Sequence, residues 1–425
     1  MKNICFYFEI HQPIELKRYR FFDIGFDHYY YDDFHTEERI VGLAARSYLP
    51  ANQAILEMIR NSDGNFRCAF SISGIALEQF EHYAPEVIGS FQELAKTGSV
   101  EFLAEPYSHS LSSVFNAEEF EMQVKQHAAK IETLFGKKPT ALRNAELIYS
   151  DEIGEIVARL GFKTMLIDEA KHVLGWKSPN YVYNHATIGK LKLLVRNFKL
   201  SDDIAFRFSD RTWLNFPLKS EIFINWIAAL PEKEQVINIW MGYEAFGFYN
   251  TAESGIFNFL KALPAHAAER GIGFATPSEI TKTQESAGAL SVPYPMSWSG
   301  NDKNLTAWLG NDLQQEALNK LYAVSERVHL CTDKPLLRDW LVLQTSDYFR
   351  FMSHKDAFGS RFESPYEAFI NYMNILADFL ERVDAQYPTT IENEELNGLL
   401  KTIYNQDKEI EKLQQEVEKL KKRKK

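Results

Sequence analysis

The stretch NICFYFEIHQP, residues 3–13, decides the fold class. From Ile4 to Phe8 every position is apolar or aromatic, with none of the alternation of a strand that has one wet face. A strand of this kind is covered on both sides, as parallel strands flanked by helices are. Polar groups then arrive together at its end: Glu9, His11, Gln12 and Pro13. Six further short apolar runs follow, at residues 66–72, 100–104, 140–143, 163–167, 191–196 and 236–241. Helix-period segments such as 51–61, 118–135 and 150–160 lie between them. Seven strands separated by helices point to an α/β fold with the parallel sheet closed into a barrel.

In such a barrel the reacting residues stand at the C-terminal ends of the strands. Ionisable or hydrogen-bonding groups follow six of the seven runs: His11-Gln12, Ser73-Gly74, Glu105 to His109, Glu146, Asp168-Glu169 and Gly242-Tyr243-Glu244. Beyond residue 290 strand signals fade and helical patterns dominate from 312 to 381. The expected division is a barrel over 1–285, a helical region packed on it over 286–390, and a tail over 391–425. In that tail Leu396, Leu399, Ile403, Gln406, Ile410, Leu413, Val417 and Leu420 keep an a/d heptad spacing. This predicts a C-terminal coiled coil and, through it, a homo-oligomer, with a solvated helix as the plainer reading.

The chain has 425 residues and a formal net charge of −11. An acidic surface repels phosphate backbones and anionic lipid, so neither nucleic acid nor membrane is an expected partner. No run approaches 18 apolar residues. The three cysteines, Cys5, Cys68 and Cys331, are scattered and imply no disulfide framework. The first apolar run carries Glu9 and lacks a small-residue cleavage site, so it reads as a strand rather than a signal peptide. The expectation is a cytoplasmic protein acting on a neutral ligand.

Glu146, in ALRNAELIYSDEIG, is the sharpest chemical candidate. A carboxylate at a strand-to-helix junction, held by Arg143, could attack an anomeric carbon or steady an oxocarbenium ion. Taken alone, a strand-end Glu is more often a salt-bridge partner. His11 and Gln12 can hold sugar hydroxyls, and AEPYSHS adds Glu105, Tyr107 with its aromatic face, and His109. A His paired for structural reasons is the competing reading for each. No HxxxH or CxxC spacing accompanies them, so neither a metal nor any other cofactor is expected. No GxSxG, P-loop or GxGxxG pattern is present.

Five segments, in order, carry a family resemblance: FEIHQP, VEFLAEPYSHSL, RNAELIYSDEIG, INIWMGYEAFG, and TAWLGNDLQQEALNKLY with LQTSDYFRFMSHK. They resemble the motifs of glycoside hydrolase family 57, α-amylase branch, from residue 3 to about residue 380. The resemblance implies an incomplete (β/α)7 barrel followed by a helical region, and a retaining mechanism on α-glucan or maltooligosaccharide. It puts Glu146 at the nucleophile's place. It also implies substrate contacts from His11, Gln12, Glu105, Tyr107, His109, Tyr243, Glu244, Trp308 and Asp347.

One position departs. Active relatives read Met-Asp-Tyr-Glu in the fourth motif, and this chain reads Met241-Gly242-Tyr243-Glu244. Gly242 falls where the resemblance implies the acid/base aspartate, and glycine can neither donate a proton nor activate water. General acid help is worth about 10²–10⁴-fold. Weak or absent hydrolysis is therefore expected, and a non-catalytic α-glucan-binding or scaffold protein is the alternative. Glu244 shares a strand face with position 242 and Asp347 is a second possible substitute, but relatives carry carboxylates at both, which implies other roles. Tyr348 is a further departure, since relatives more often carry His there.

Overall fold

The structure is a computed structural model that describes residues 1–355, 357, 359–386 and 394–423. Strand β1, Asn3–Ile10, shows why its sequence does not alternate. Ile4, Phe6, Phe8 and Ile10 face one hydrophobic cluster, shared with the surrounding helices. Cys5 and Tyr7 face a second, inner cluster with Leu103, Leu147, Leu166, Leu194 and Trp240. Both faces are buried, and the period of two puts Glu9 on the inner face with Cys5 and Tyr7. Cys5, Cys68 and Cys331 are buried free thiols.

The remaining strands are β2 (Cys68–Ile72), β3 (Val100–Phe102), β4 (Ala141–Arg143), β5 (Thr164–Ile167), β6 (Val182–His185), β7 (Lys192–Val195), β8 (Val236–Gly242), β9 (Gly273–Phe274) and β10 (Ser286–Leu290). They form two sheets, β3-β2-β1-β8 with β9 beside β1, and β10-β6-β7-β5-β4. Single bridges join the sheets at Ala104↔Leu142 and Arg196↔Asn238. Pairing therefore runs as a circuit through β1, β2, β3, β4, β5, β7, β8 and back to β1. All seven runs read from the sequence are in this circuit.

Three strands lie outside the sequence reading. β6 runs antiparallel to β7, β10 pairs with β6, and β9 adds two residues beside β1. Strand pairing thus continues past residue 285 to Leu290. The helical region packs on these strands through one cluster that joins Leu142, Met165 and Leu193 to Trp308, Trp340 and Phe379.

Seven helices matter below: α1 (Leu49–Asn61), α2 (Gly74–Tyr83), α3 (Ala117–Phe135), α4 (Asp151–Arg159), α5 (Ser346–Arg350), α6 (Pro365–Gln386) and α7 (Glu394–Arg423). Three of them, α2, α3 and α4, start on a side-chain cap. Ser73 accepts from the Ala76 N–H, Asn116 from Glu119 and Ser150 from Ile153. Gly136, at φ 77°, ends α3 in the left-handed conformation. The expected boundary at 390/391 lies outside the described residues. Among the described residues no helix is long and apolar enough to cross a membrane.

Candidate active site

The end of β4 turns sharply at Glu146. Its φ is 55° and that of Leu147 is 51°, two left-handed non-glycine residues in succession. Each costs about 1–2 kcal/mol unless its surroundings hold it. They are held on several sides. The Asn144 amide donates to the Ile148 carbonyl at 2.9 Å. The Trp298 N–H donates to the Glu146 carbonyl at 3.2 Å, and Tyr149 and Met296 exchange backbone bonds. Buried Leu147 anchors the turn in the inner cluster.

The Glu146 carboxylate is 6% exposed and well partnered. Trp298 Nε1–H donates to Oε2 at 2.7 Å and the Ser346 hydroxyl donates to Oε1 at 2.8 Å. His109 Nε2 lies 3.5 Å from Oε1. Burial pushes this carboxyl up, but His109, Arg350 and the Trp298 N–H outweigh it and hold it well below the ordinary range. Glu146 is thus ionised, buried and fixed in direction.

His109 (φ 52°) is the hub of the site. Nε2 is 3.2 Å from Glu9 Oε1 and Nδ1 is 3.8 Å from Glu105 Oε1. Burial opposes its charge, yet Glu105, Glu146 and Glu9 together push it up to about 10. Its ring stacks on His11 at 4.2 Å. Burial and the His109 charge lower His11, which is therefore neutral. His11 Nε2–H donates to Asp347 Oδ2 at 3.0 Å, and Nδ1 accepts from the Ser73 hydroxyl at 2.7 Å. That hydroxyl accepts in turn from the Ala76 N–H. Burial would raise Asp347, but the His11 contact lowers it.

Behind this layer Arg143 Nη2 reaches Glu9 Oε1 at 2.7 Å, and Arg143 Nη1 reaches Glu105 Oε2 at 3.3 Å. Glu105 is fully buried and accepts from Ser71 at 2.6 Å. It is held down at about 2 against its own burial, by His109 and Arg143. Glu9 goes the other way. Burial and the like charges of Glu146 and Glu105 raise it to about 7, against the pull of Arg143 and His109.

Gly242 ends β8 directly opposite Glu9 in the parallel register. Its backbone is ordinary, φ −61° and ψ 136°, so nothing in the turn demands glycine. The position is not an empty spot, because a Cβ there would stand 3.1 Å from Glu244 Oε2. Glu244 Oε1 accepts from Tyr48 at 2.5 Å and from Gln12 Nε2 at 3.0 Å.

The structure therefore gathers His11, Gln12, Glu105, His109, Glu146, Gly242, Glu244 and Asp347. Three expected contacts lie elsewhere. Tyr243 is fully buried, stacked on Tyr48 and bonded to Asn52, because strand alternation turns it outward to the helices. Trp308 is fully buried in the core. Tyr107 packs against Gly74 and donates to Glu78 of α2 at 2.6 Å. Glu105 belongs to the site but supports Arg143 and His109 from behind. Tyr348 is buried too and donates to the Ile14 carbonyl, so it tethers the loop after β1. Asp168 is buried on Arg196 and Lys303.

Four residues escaped the sequence reading. Glu9 was within FEIHQP, and period-two alternation could have placed it on the inner face. Trp298, Ser346 and Arg350 come from more than 150 residues beyond Glu146; the last two lie within LQTSDYFRFMSHK, but nothing local ties any of the three to Glu146. Two hollows, of about 310 and 400 Å³, lie away from the cluster, one beside Phe208 and Pro217, the other at the opposite strand ends beside Glu101 and Thr140. Among the described residues no group of three His, Cys, Asp or Glu is placed to hold a metal.

A buried, ionised carboxylate at the C-terminal end of a parallel strand stands where enzymes of this class of fold carry their reacting groups. Sequence comparison makes the class specific. The model of glycosyl hydrolase family 57 matches residues 5–293, and the chain belongs to that family. It is 36% identical to a Methanocaldococcus jannaschii protein named "Putative alpha-amylase", over 88% of this chain and 84% of that one. Its fold is similar to that of a branching enzyme from Thermococcus kodakaraensis, with a TM-score of 0.69 at 14% identity over 94% of both chains. A 4-alpha-glucanotransferase from Thermococcus litoralis gives 0.66 at 15% identity, over 89% of this chain and 59% of that one.

Proposed function

We propose that this protein is a retaining, α-amylase-like glycosidase acting on α-glucan or maltooligosaccharide, by hydrolysis or transfer. It does so on an incomplete (β/α)7 barrel, with Glu146 as nucleophile. The observation that carries the reading is the state of Glu146: buried, ionised, and aimed by Trp298 and Ser346. A carboxylate so fixed can form the glycosyl ester without reorganising. Gln12 and Asp347, the latter oriented by His11, would hold hydroxyls around the ring. Position 242 supplies no acid, so cleavage of an unactivated bond is slower than in relatives with aspartate there.

The test is covalent trapping. A fluorinated maltosyl fluoride with slow turnover should label the peptide that contains Glu146, as read by mass spectrometry. Glu146→Gln should take no label and lose cleavage of aryl α-maltosides. A label elsewhere, or unchanged cleavage by Glu146→Gln, would overturn the reading. The glycine at 242 favours a second one, a non-catalytic α-glucan-binding or scaffold protein. That reading gains if calorimetry shows maltooligosaccharide binding without turnover of any aryl substrate.

A further inference from the structure

We propose that Glu244 is the acid/base of this site, delivering through Oε2 the proton that the missing side chain at 242 cannot. The inference rests on the retaining reading above. Two hydrogen bonds, from the Tyr48 hydroxyl and Gln12 Nε2, go to Oε1. An added proton therefore belongs on Oε2, the oxygen that would lie 3.1 Å from a Cβ at 242. An aspartate carboxyl at 242 would begin at that Cβ, so Oε2 occupies the neighbourhood from which the absent acid would act. Burial raises Glu244 above the ordinary carboxyl range, and the Asp347 charge adds to this, while Tyr48, the residue's own backbone N–H and Gln12 partly offset it.

Charged and titratable groups facing Glu244 are Tyr48 from the helical turn before α1, Asp347 from α5, and Tyr249 beyond β8. None is a cation. Asp347 itself is held ionised by His11, so it is no donor. Glu9 lies between Arg143 and His109, both cations, beside the nucleophile itself.

The chemistry balances. The Oε2 proton moves to the glycosidic oxygen as the C1–O bond breaks, and the bonding pair leaves with that oxygen as an alcohol. C1 bonds to a Glu146 oxygen. In the second step the Glu244 carboxylate takes a proton from water, or from a sugar hydroxyl in transfer. The freed oxygen attacks C1, and the ester electron pair returns to Glu146.

Glu244→Gln should cut maltooligosaccharide cleavage by about 10²–10⁴-fold. With a dinitrophenyl leaving group, which needs no proton, the loss should shrink to less than about 10-fold once azide replaces water as acceptor. Tyr48→Phe removes a donor to the ionised carboxyl, so the alkaline limb of the kcat/KM profile should move to higher pH. This second variant decides the matter if Glu244→Gln does not fold. Equal loss on both substrates by folded Glu244→Gln, an unmoved alkaline limb, or selective loss in Glu9→Gln instead would overturn the assignment. Failure to trap sugar on Glu146 would remove the retaining reading and this inference with it.

Discussion

Trp298 and Ser346 each give Glu146 one hydrogen bond, one to each oxygen, so the carboxylate is fixed in orientation as well as in charge. Trp298→Phe keeps an aromatic ring beside Trp240 and removes only the N–H donor. A hydrogen bond to a charged group is worth about 1.5–3 kcal/mol. The variant should therefore lose roughly 10–150-fold in kcat/KM on an aryl α-maltoside, with Glu146 moving up and the acid limb following it. An unchanged acid limb would mean that the indole N–H does not hold the carboxylate. His109 permits a different measurement. Its folded value, about 10, lies far above the unfolded value of about 6.5, so its contribution to stability is whole below pH 6.5 and is lost as pH rises toward 10. Glu9 titrates lower, near 7, and the three buried thiols, pushed up by burial, add their own loss only above about pH 8.5, which leaves roughly pH 7.5–8.5 to His109. Urea unfolding of the intact protein should show stability falling across that window, and His109→Gln should flatten the fall. At position 242, Gly242→Asp should raise maltooligosaccharide hydrolysis while Gly242→Ala does not, because the gain comes from the carboxyl and not from bulk.

At the scale of elements, two helical glycines test packing with one substitution. A Cβ on Gly154 of α4 would come within 2.4 Å of His185 Cδ2 and 3.0 Å of the Tyr149 hydroxyl. His185 cannot swing aside freely: Nε2–H donates to the Asp151 carbonyl and Nδ1 accepts from the N–H groups of Thr187 and Ile188. Gly154→Ala should cost about 1–3 kcal/mol. Gly89, in the helix Pro85–Lys96, meets nothing within 4 Å, so Gly89→Ala should stabilise by about 0.5–1 kcal/mol. Thermal melts should move in opposite directions, and a shared direction would mean that α4 does not seat on β6 as described. The His185 strand is also where sequence reasoning stopped. YVYNHATI is short, ends in polar residues and pairs antiparallel, so it has neither the buried run of a parallel strand nor a hairpin signal. The parallel strands were legible because burial on both faces leaves a continuous apolar run. Their register was not. Nothing local says that Glu9 stands opposite Gly242, and the apparent gap at 242 is flanked by Glu244 only once the turn after β8 is built.

For the whole molecule, the surface feature that bears on assembly is the long helix α7. On it Leu399, Ile403, Ile410, Leu413 and Val417 are 47–61% exposed, on the three-and-four spacing of a coiled-coil seam. The side chains of Leu396 and Leu420, which extend that spacing, lie outside the described residues. Other positions tie the helix to its own chain: Lys401 to Glu326, Lys408 to Glu118 of α3, and Tyr404 against Met122. One side of α7 is thus anchored while an apolar stripe faces water, a cost that a second copy of the same helix removes. At 30 residues the helix is about 45 Å long, enough for four heptads against a partner. Sedimentation of the full chain should show a dimer that dissociates on dilution. The double substitution Ile403→Lys with Ile410→Lys should leave a monomer of unchanged thermal stability in the barrel. Because every group around Glu146 comes from one chain, that monomer should keep its rate on aryl α-maltosides. A wild-type chain that sediments as a monomer at all concentrations would assign the stripe to some other partner, and a monomeric variant that loses activity would mean the second copy supports the site.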